Sequence, residues 1–257
     1  MSLKKNEACS SIIKNSHLFL NMHANSVSPV FKNTCGITLD EITLVRGRTT
    51  VFAELSLQLK EARIGLIGDN GAGKSSLFRL ICGLDQPQQG QVVLPQGENA
   101  VGMMFQNPDE QIIFPTVEEE LALSLHRLKL SRAQTQVRVR DWLATRGLAH
   151  WAPRAIGSLS QGQRQHVCWL ALMIASHTTL LLDEPYSSLD LPGQALLHRD
   201  IAQAQQQIMV STHVLDHVRH FERVIWLDQG QVRLDGPGME ICAAYEADVA
   251  LRTAQSL

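Results

Sequence analysis

The sequence predicts an α/β fold: a mixed or parallel central sheet, an antiparallel β subdomain ahead of it, and an inserted α-helical subdomain. Three stretches carry that reading. Gly68-Asp69-Asn70-Gly71-Ala72-Gly73-Lys74-Ser75 is a glycine-rich loop between an apolar strand and a helix, Leu180 to Asp183 is an apolar strand running into two adjacent acids, and Thr116 to about Arg146 has helical apolar spacing with no strand signal.

The loop fits the pattern Gly, four residues, Gly, Lys and Ser/Thr. Its flanks agree: Ile64-Gly65-Leu66-Ile67 reads as a short buried strand, and Leu77, Leu80, Ile81 and Leu84 recur at helical spacing. A chain wrapped around β- and γ-phosphates turns its amide N–H groups inward, and Gly68, Gly71 and Gly73 allow the backbone angles and close approach this needs. The helix starting near Lys74 adds its positive end to the anion site. Lys74 is expected to reach the β- and γ-phosphates of a nucleoside triphosphate, and the Ser75 hydroxyl to ligate Mg²⁺.

At 257 residues the chain has room for one sizeable α/β domain with an insertion. Lys and Arg number 23 against 25 Asp and Glu, so no overall charge favours nucleic acid or an anionic membrane surface. Cys9, Cys35, Cys82, Cys168 and Cys242 form no Cys-x-x-Cys pair, which suits reduced thiols in a cytosol rather than disulfides or zinc. The longest apolar run, Trp169 to Ala175, falls far short of the roughly 20 residues that span a bilayer. Residues 1–35 are too broken in pattern for a secretory signal and read as a poorly ordered extension, with Met22 as an alternative start.

From Gly36 to Lys60, Ile37, Leu39, Ile42 and Leu44 and then Val51, Leu55, Leu57 and Leu59 suggest antiparallel strands turning at Gly47. Val92 to Leu94 and Val101 to Phe105 are further strands, the second ending at Gln106. A glutamine there is either solvated or places its amide oxygen near a metal or water. Thr116 with Glu119 forms a capping box ahead of Leu121, Leu125 and Leu128, and Ser131 with Gln134 a second cap for a helix carrying Val137 and Trp142. Arg127, Lys129, Arg132, Arg138, Arg140, Arg146 and Arg154 give this insert a basic surface, either a solvated face or a docking surface.

Ser160 is a good N-cap for the helix through Ala175, and with Gln163 makes a capping box; its functional alternative needs a phosphate supplied from outside the subunit. The strand Leu180 to Asp183 places Asp183 to meet Mg²⁺ through water and Glu184 to polarise the water attacking the γ-phosphate. Ser187 to Asp190 is a turn, a helix follows from about Pro192 to Gln207, and His213 closes a third apolar strand at the same sheet edge, as a γ-phosphate contact. Val224 to Val232 reads as a hairpin and Met239 onward as a helical tail.

In this order the phosphate loop, Gln106, Leu159 to Gln163, Leu180 to Glu184, Ser187 to Asp190 and His213 resemble the Walker A, Q-loop, signature, Walker B, D-loop and H-switch of a P-loop NTPase of ATP-binding cassette (ABC) type, over about Leu39 to Gly236. Ala62 to Gly68, Phe105 to Gln111 and Pro115 to Glu119 are similar to the energy-coupling-factor (ECF) ATPases of vitamin and metal uptake, above all their biotin and cobalt members.

The resemblance implies a cassette over 36–240, with a helical subdomain at about 107–175 and a tail at 241–257. It implies ATP held by Gly68 to Ser75 with Ser76, Mg²⁺ held by Ser75, Gln106 and Asp183, and catalysis by Lys74, Glu184 and His213. Two cassettes, identical or paralogous, would sit head to tail so that Ser160, Gly162, Gln163 and Asp190 of one close over the ATP of the other. The pair would drive a transmembrane coupling protein and a substrate-binding membrane protein from the cytoplasmic face of the membrane, with no nucleic-acid partner. Gln106 would link nucleotide to membrane partner.

Two departures stand out. Gln161 occupies the first glycine of the family's usual Leu-Ser-Gly-Gly-Gln signature, where it can crowd a partner's γ-phosphate, and Arg46 stands where the family has an adenine-stacking aromatic ring. An arginine plane can also stack on a base. The rivals are a soluble cassette ATPase switching on DNA or ribosomes, and a structural subunit that does not hydrolyse ATP.

Overall fold

The computed structural model describes residues 36–94 and 100–255. The expected extension at 1–35, with Met22, lies outside the described residues.

β1 (Ile37–Arg46) and β2 (Thr49–Leu59) pair antiparallel about Gly47, whose φ of 61° is left-handed. β3 (Arg63–Ile67) leads through the phosphate loop into α1 (Lys74–Ile81), and β4 (Gln89–Val93) returns to the free edge of β1, giving a three-stranded sheet ordered β2-β1-β4. β5 (Val101–Met104) is followed by the helical stretch: α2 (Val117–Leu123), α3 (Arg132–Ala144) and α4 (Gln161–Ala175). Then come β6 (Thr179–Asp183), α5 (Leu191–Gln203), β7 (Gln207–Ser211), β8 (Arg223–Asp228), β9 (Gln231–Gly236) and α6 (Gly238–Gln255).

The second sheet is ordered β5-β6-β7-β3-β8-β9, parallel except for β9. Its inner strands are buried on both faces, as a covered parallel sheet requires. Side chains alternate between two cores. Leu180, Leu182, Ile208 and Val210 pack with residues of α2 to α6, whereas Ile64, Leu66, Leu181 and Met209 pack with α1 and the three-stranded sheet. Because Val117, Leu121, Val139 and Leu143 belong to the same core as β6 and β7, the helical stretch is packed continuously with the sheet.

Local structure departs from sequence spacing in several places. The first helix stops at Ile81: Gly83 turns left-handed at φ 73°, and the Leu84 N–H donates to the Arg79 carbonyl at 2.9 Å, leaving Leu84 50% exposed. α2 ends at Leu123, so buried Leu125 and exposed Leu128 sit beyond it. Val137 is 59% exposed, while Val139 and Leu143 face the core. The expected box at Thr116 is half formed: the Glu119 N–H donates to Thr116 Oγ1 at 3.3 Å, but the Glu119 carboxylate accepts the Thr116 hydroxyl at 2.6 Å. The boxes at Ser131 and Ser160 are complete. α5 ends at Gln203 because Ala204 is extended.

The basic surface of the insert is partly used internally. Arg140 Nε donates to Glu118 at 2.7 Å, and the Arg146 guanidinium lies 3.6 Å over the Trp142 ring.

Candidate nucleotide site

Parallel strands that end side by side bring their following loops to one edge. β3 ends at Ile67 before the phosphate loop, β5 at Met104 before Gln106, β6 at Asp183 before Glu184, and β7 at Ser211 before His213. Because β6, β7 and β3 are consecutive neighbours, these residues converge where open α/β sheets bind ligands. They line a cavity of about 490 Å³ with Asn70, Gly71, Gly73, Lys74, Ser75 and Ser76.

Two glycines of the loop take backbone angles that a side chain would strain. Gly68 has φ 141°, and a Cβ there would lie 2.1 Å from the Leu227 carbonyl oxygen on β8. Gly73 has φ 106° at the N-terminus of α1. Lys74 is 8% exposed, and its Nζ donates to the carbonyls of Gly68 at 2.7 Å and Asp69 at 3.0 Å. Burial holds its pKa below the usual lysine value, opposed by the charges of Glu184, Asp183 and Asp69. The ammonium is therefore held in place by two neutral acceptors that a phosphate oxygen can replace with a stronger, charge-assisted bond.

Asp183 closes β6 at 5% exposure. The next residue turns sharply: Glu184 has φ 46°, an uncommon conformation for a non-glycine residue, and its N–H donates to the Ser211 carbonyl at 2.9 Å. That turn brings Glu184 Oε2 within 2.8 Å of His213 Nδ1. One carboxylate so placed can orient a water and one imidazole can meet a phosphoryl oxygen.

Ser75, Gln106 and Asp183 share the cavity, and a hydroxyl, an amide oxygen and a carboxylate are donors suited to Mg²⁺. No cluster of three or more His, Cys, Asp or Glu side chains fit to hold a metal exists among the described residues. A cation here would therefore draw its remaining ligands from phosphate and water, the usual arrangement for Mg²⁺ with a nucleotide.

The other expected residues lie elsewhere. Ser160, Gly162, Gln163 and Asp190 line a separate cavity of about 600 Å³ between α4 and α5. Ser160 and Gln161 are exposed at the start of α4; Ser160 Oγ accepts the Gln163 N–H at 3.2 Å, and Gln163 Oε1 accepts the Ser160 N–H at 3.1 Å. Asp190 caps α5 through the Gly193 N–H at 3.0 Å. Arg46, expected against the adenine, is ion-paired with Asp85, which also accepts Arg79 Nε at 3.2 Å; Val51 is among the residues lining the cavity of Lys74 and Ser75. Sequence reasoning missed two loop contacts, Tyr245 and Arg252 of α6, both bonded to Asp69. Their seven-residue spacing, with Asp248 between, is the polar stripe that could have suggested them.

Residues 52–187 match the family model described as ABC transporter. The chain belongs to the ABC transporter family. It is 42% identical over 220 residues to the biotin transport ATP-binding protein BioM of Rhodobacter capsulatus, covering 82% of this chain and 94% of that protein. Its fold resembles that of cbiO1 from Clostridium perfringens, part of the ABC transporter complex cbiONQ, at TM-score 0.70 and 24% identity over 87% of this chain and 97% of that one. An ATP-binding cassette solved as a post-hydrolysis dimer with ADP and Pi matches at TM-score 0.66 and 23% identity, over 78% and 98%. This ABC subunit is thus an ATP-binding, ATP-hydrolysing component of a transporter.

Proposed function

We propose that this ABC subunit energises biotin uptake as the ATPase of an ECF-type importer. The observation that carries the reading is its 42% identity to BioM across 94% of that protein. No helix among the described residues is long and apolar enough to cross a membrane, so the pathway would belong to other chains. Beyond Gln106, Ile113 is 73% and Phe114 38% exposed, an apolar pair next to the loop that would report nucleotide state to a membrane partner.

The separation of the signature from the phosphate loop favours two cassettes, each supplying the half the other lacks. Ser160, Gly162 and Asp190 would then close over the partner's ATP, with exposed Gln161 at the contact. Mg²⁺ held by Ser75, Gln106 and Asp183 would neutralise charge at the β- and γ-phosphates. Lys74 binds the terminal phosphates, Glu184 orients the attacking water, and His213 steadies both Glu184 and the γ-phosphoryl oxygen.

The test is uptake of labelled biotin by cells that depend on this protein and its membrane companions. Wild type should accumulate biotin and Glu184→Gln should not. Equal uptake by both would overturn the reading, and loss of cobalt rather than biotin uptake would reassign the cargo.

A further inference from the structure

The C-terminal helix α6 reaches back to the phosphate loop. Tyr245 Oη donates to Asp69 Oδ1 at 2.6 Å, Arg252 Nη1 donates to Asp69 Oδ2 at 2.6 Å, and Arg252 Nη2 to Oδ1 at 3.3 Å. Both oxygens of one loop carboxylate are therefore engaged by a helix nearly two hundred positions away in the chain. The helix is itself anchored. Asp248, on the same face, accepts Arg252 Nε at 2.7 Å and Arg233 Nη2 of β9 at 2.6 Å. Arg233 lies 4.3 Å over the Trp226 ring of β8, and Tyr245 meets that ring edge-on at 5.0 Å between centroids.

An aspartate is a poor neighbour for a triphosphate. Asp69 is the second residue of the loop, its carbonyl accepts the Lys74 ammonium, and its carboxylate charge acts on the same lysine that the phosphates need. Unpaired, it would repel the nucleotide and hold Lys74 back. Paired with a guanidinium it becomes close to neutral from the phosphates' viewpoint.

We propose that Arg252 and Tyr245 of α6 are positioning residues for ATP, which cancel the charge of Asp69 and hold the phosphate loop, so that the C-terminal helix sets nucleotide affinity. This rests on the assignment of the loop as the ATP site. The bond from Arg252, then that from Tyr245, keeps the Asp69 carboxyl ionised below its usual range, in line with a fully formed pair.

A double-mutant cycle on the full-length chain separates a charge role from a merely structural one. With MgATP affinity measured by equilibrium titration, Arg252→Gln should weaken binding about fivefold, the scale of one partly exposed ion pair. In the D69N background, where no charge remains to cancel, the same change should alter affinity less than about twofold. Arg252→Lys should recover most of the loss, and Tyr245→Phe, which keeps the ring against Trp226, should weaken binding by a smaller factor. Equal losses in both backgrounds, or no loss from Arg252→Gln, would overturn the inference. Were Arg252→Gln to yield no folded protein, Tyr245→Phe decides: unchanged affinity in the D69 protein overturns it. Failure of the wild type to bind MgATP would instead overturn the site assignment underneath.

Discussion

His213 Nδ1 lies 2.8 Å from Glu184 Oε2, joining the ends of two adjacent parallel strands across the mouth of the phosphate cavity. The histidine is largely open, with 64% of its side chain exposed against 12% for the glutamate, so a ligand can reach the imidazole while the carboxylate stays enclosed. Glu184→Gln removes the carboxylate proposed as base and keeps the shape. Steady-state hydrolysis should fall by roughly two orders of magnitude or more, with MgATP binding retained. Phosphate release at near wild-type rate would remove Glu184 from that role.

Lys74 should matter for binding before chemistry. Its ammonium is buried against two carbonyls and, in the proposed role, would exchange them for phosphate oxygens, a charge-assisted contact worth about 1.5–3 kcal/mol. Lys74→Ala is expected to weaken nucleotide binding by about one to two orders of magnitude in an equilibrium titration.

Two apolar residues of α3 should respond to very different extents. Leu143 is fully buried in the core shared with the sheet, and truncation to alanine should cost about 2–5 kcal/mol of unfolding free energy. Val137 is 59% exposed, and Val137→Ala should stay within about 0.5 kcal/mol in the same denaturant titration.

The link between Asp69 and α6 should be sensitive to acid. Hydrogen bonding from Arg252 lowers the folded-state pKa of Asp69, so the pair stabilises the fold fully above the ordinary aspartate value of about 4 and loses that contribution as pH falls through the lower folded value. The gap in melting temperature between wild type and Arg252→Gln should be constant from about pH 6 to 8 and close on acidification below about 4. A gap unchanged at low pH would show that the pair is not what the substitution removes.

Motifs that are contiguous in sequence were legible there: the phosphate loop, the acids closing β6, the caps at Ser131 and Ser160 and the hairpin at β8 and β9. Periodicity misled where a helix was short or its apolar face was set by neighbours. Val137 and Leu128 fit helical spacing as well as Val139 and Leu143, and only the packing of α2, α3 and α4 decides which are buried. Arg46 had no local signal for its pairing with Asp85, a residue far along the chain.

By itself the sequence determined which groups are expected to hold a nucleotide, because a loop that wraps phosphate needs glycine, lysine and serine at fixed offsets along one chain segment. The tertiary structure decided which of them meet. Strand order sets Glu184 beside His213 and keeps the signature apart from the phosphate loop, and the packing of α6 on β8 and β9 brings Arg252 to Asp69. Those contacts depend on long-range register and burial, which no local window of residues encodes.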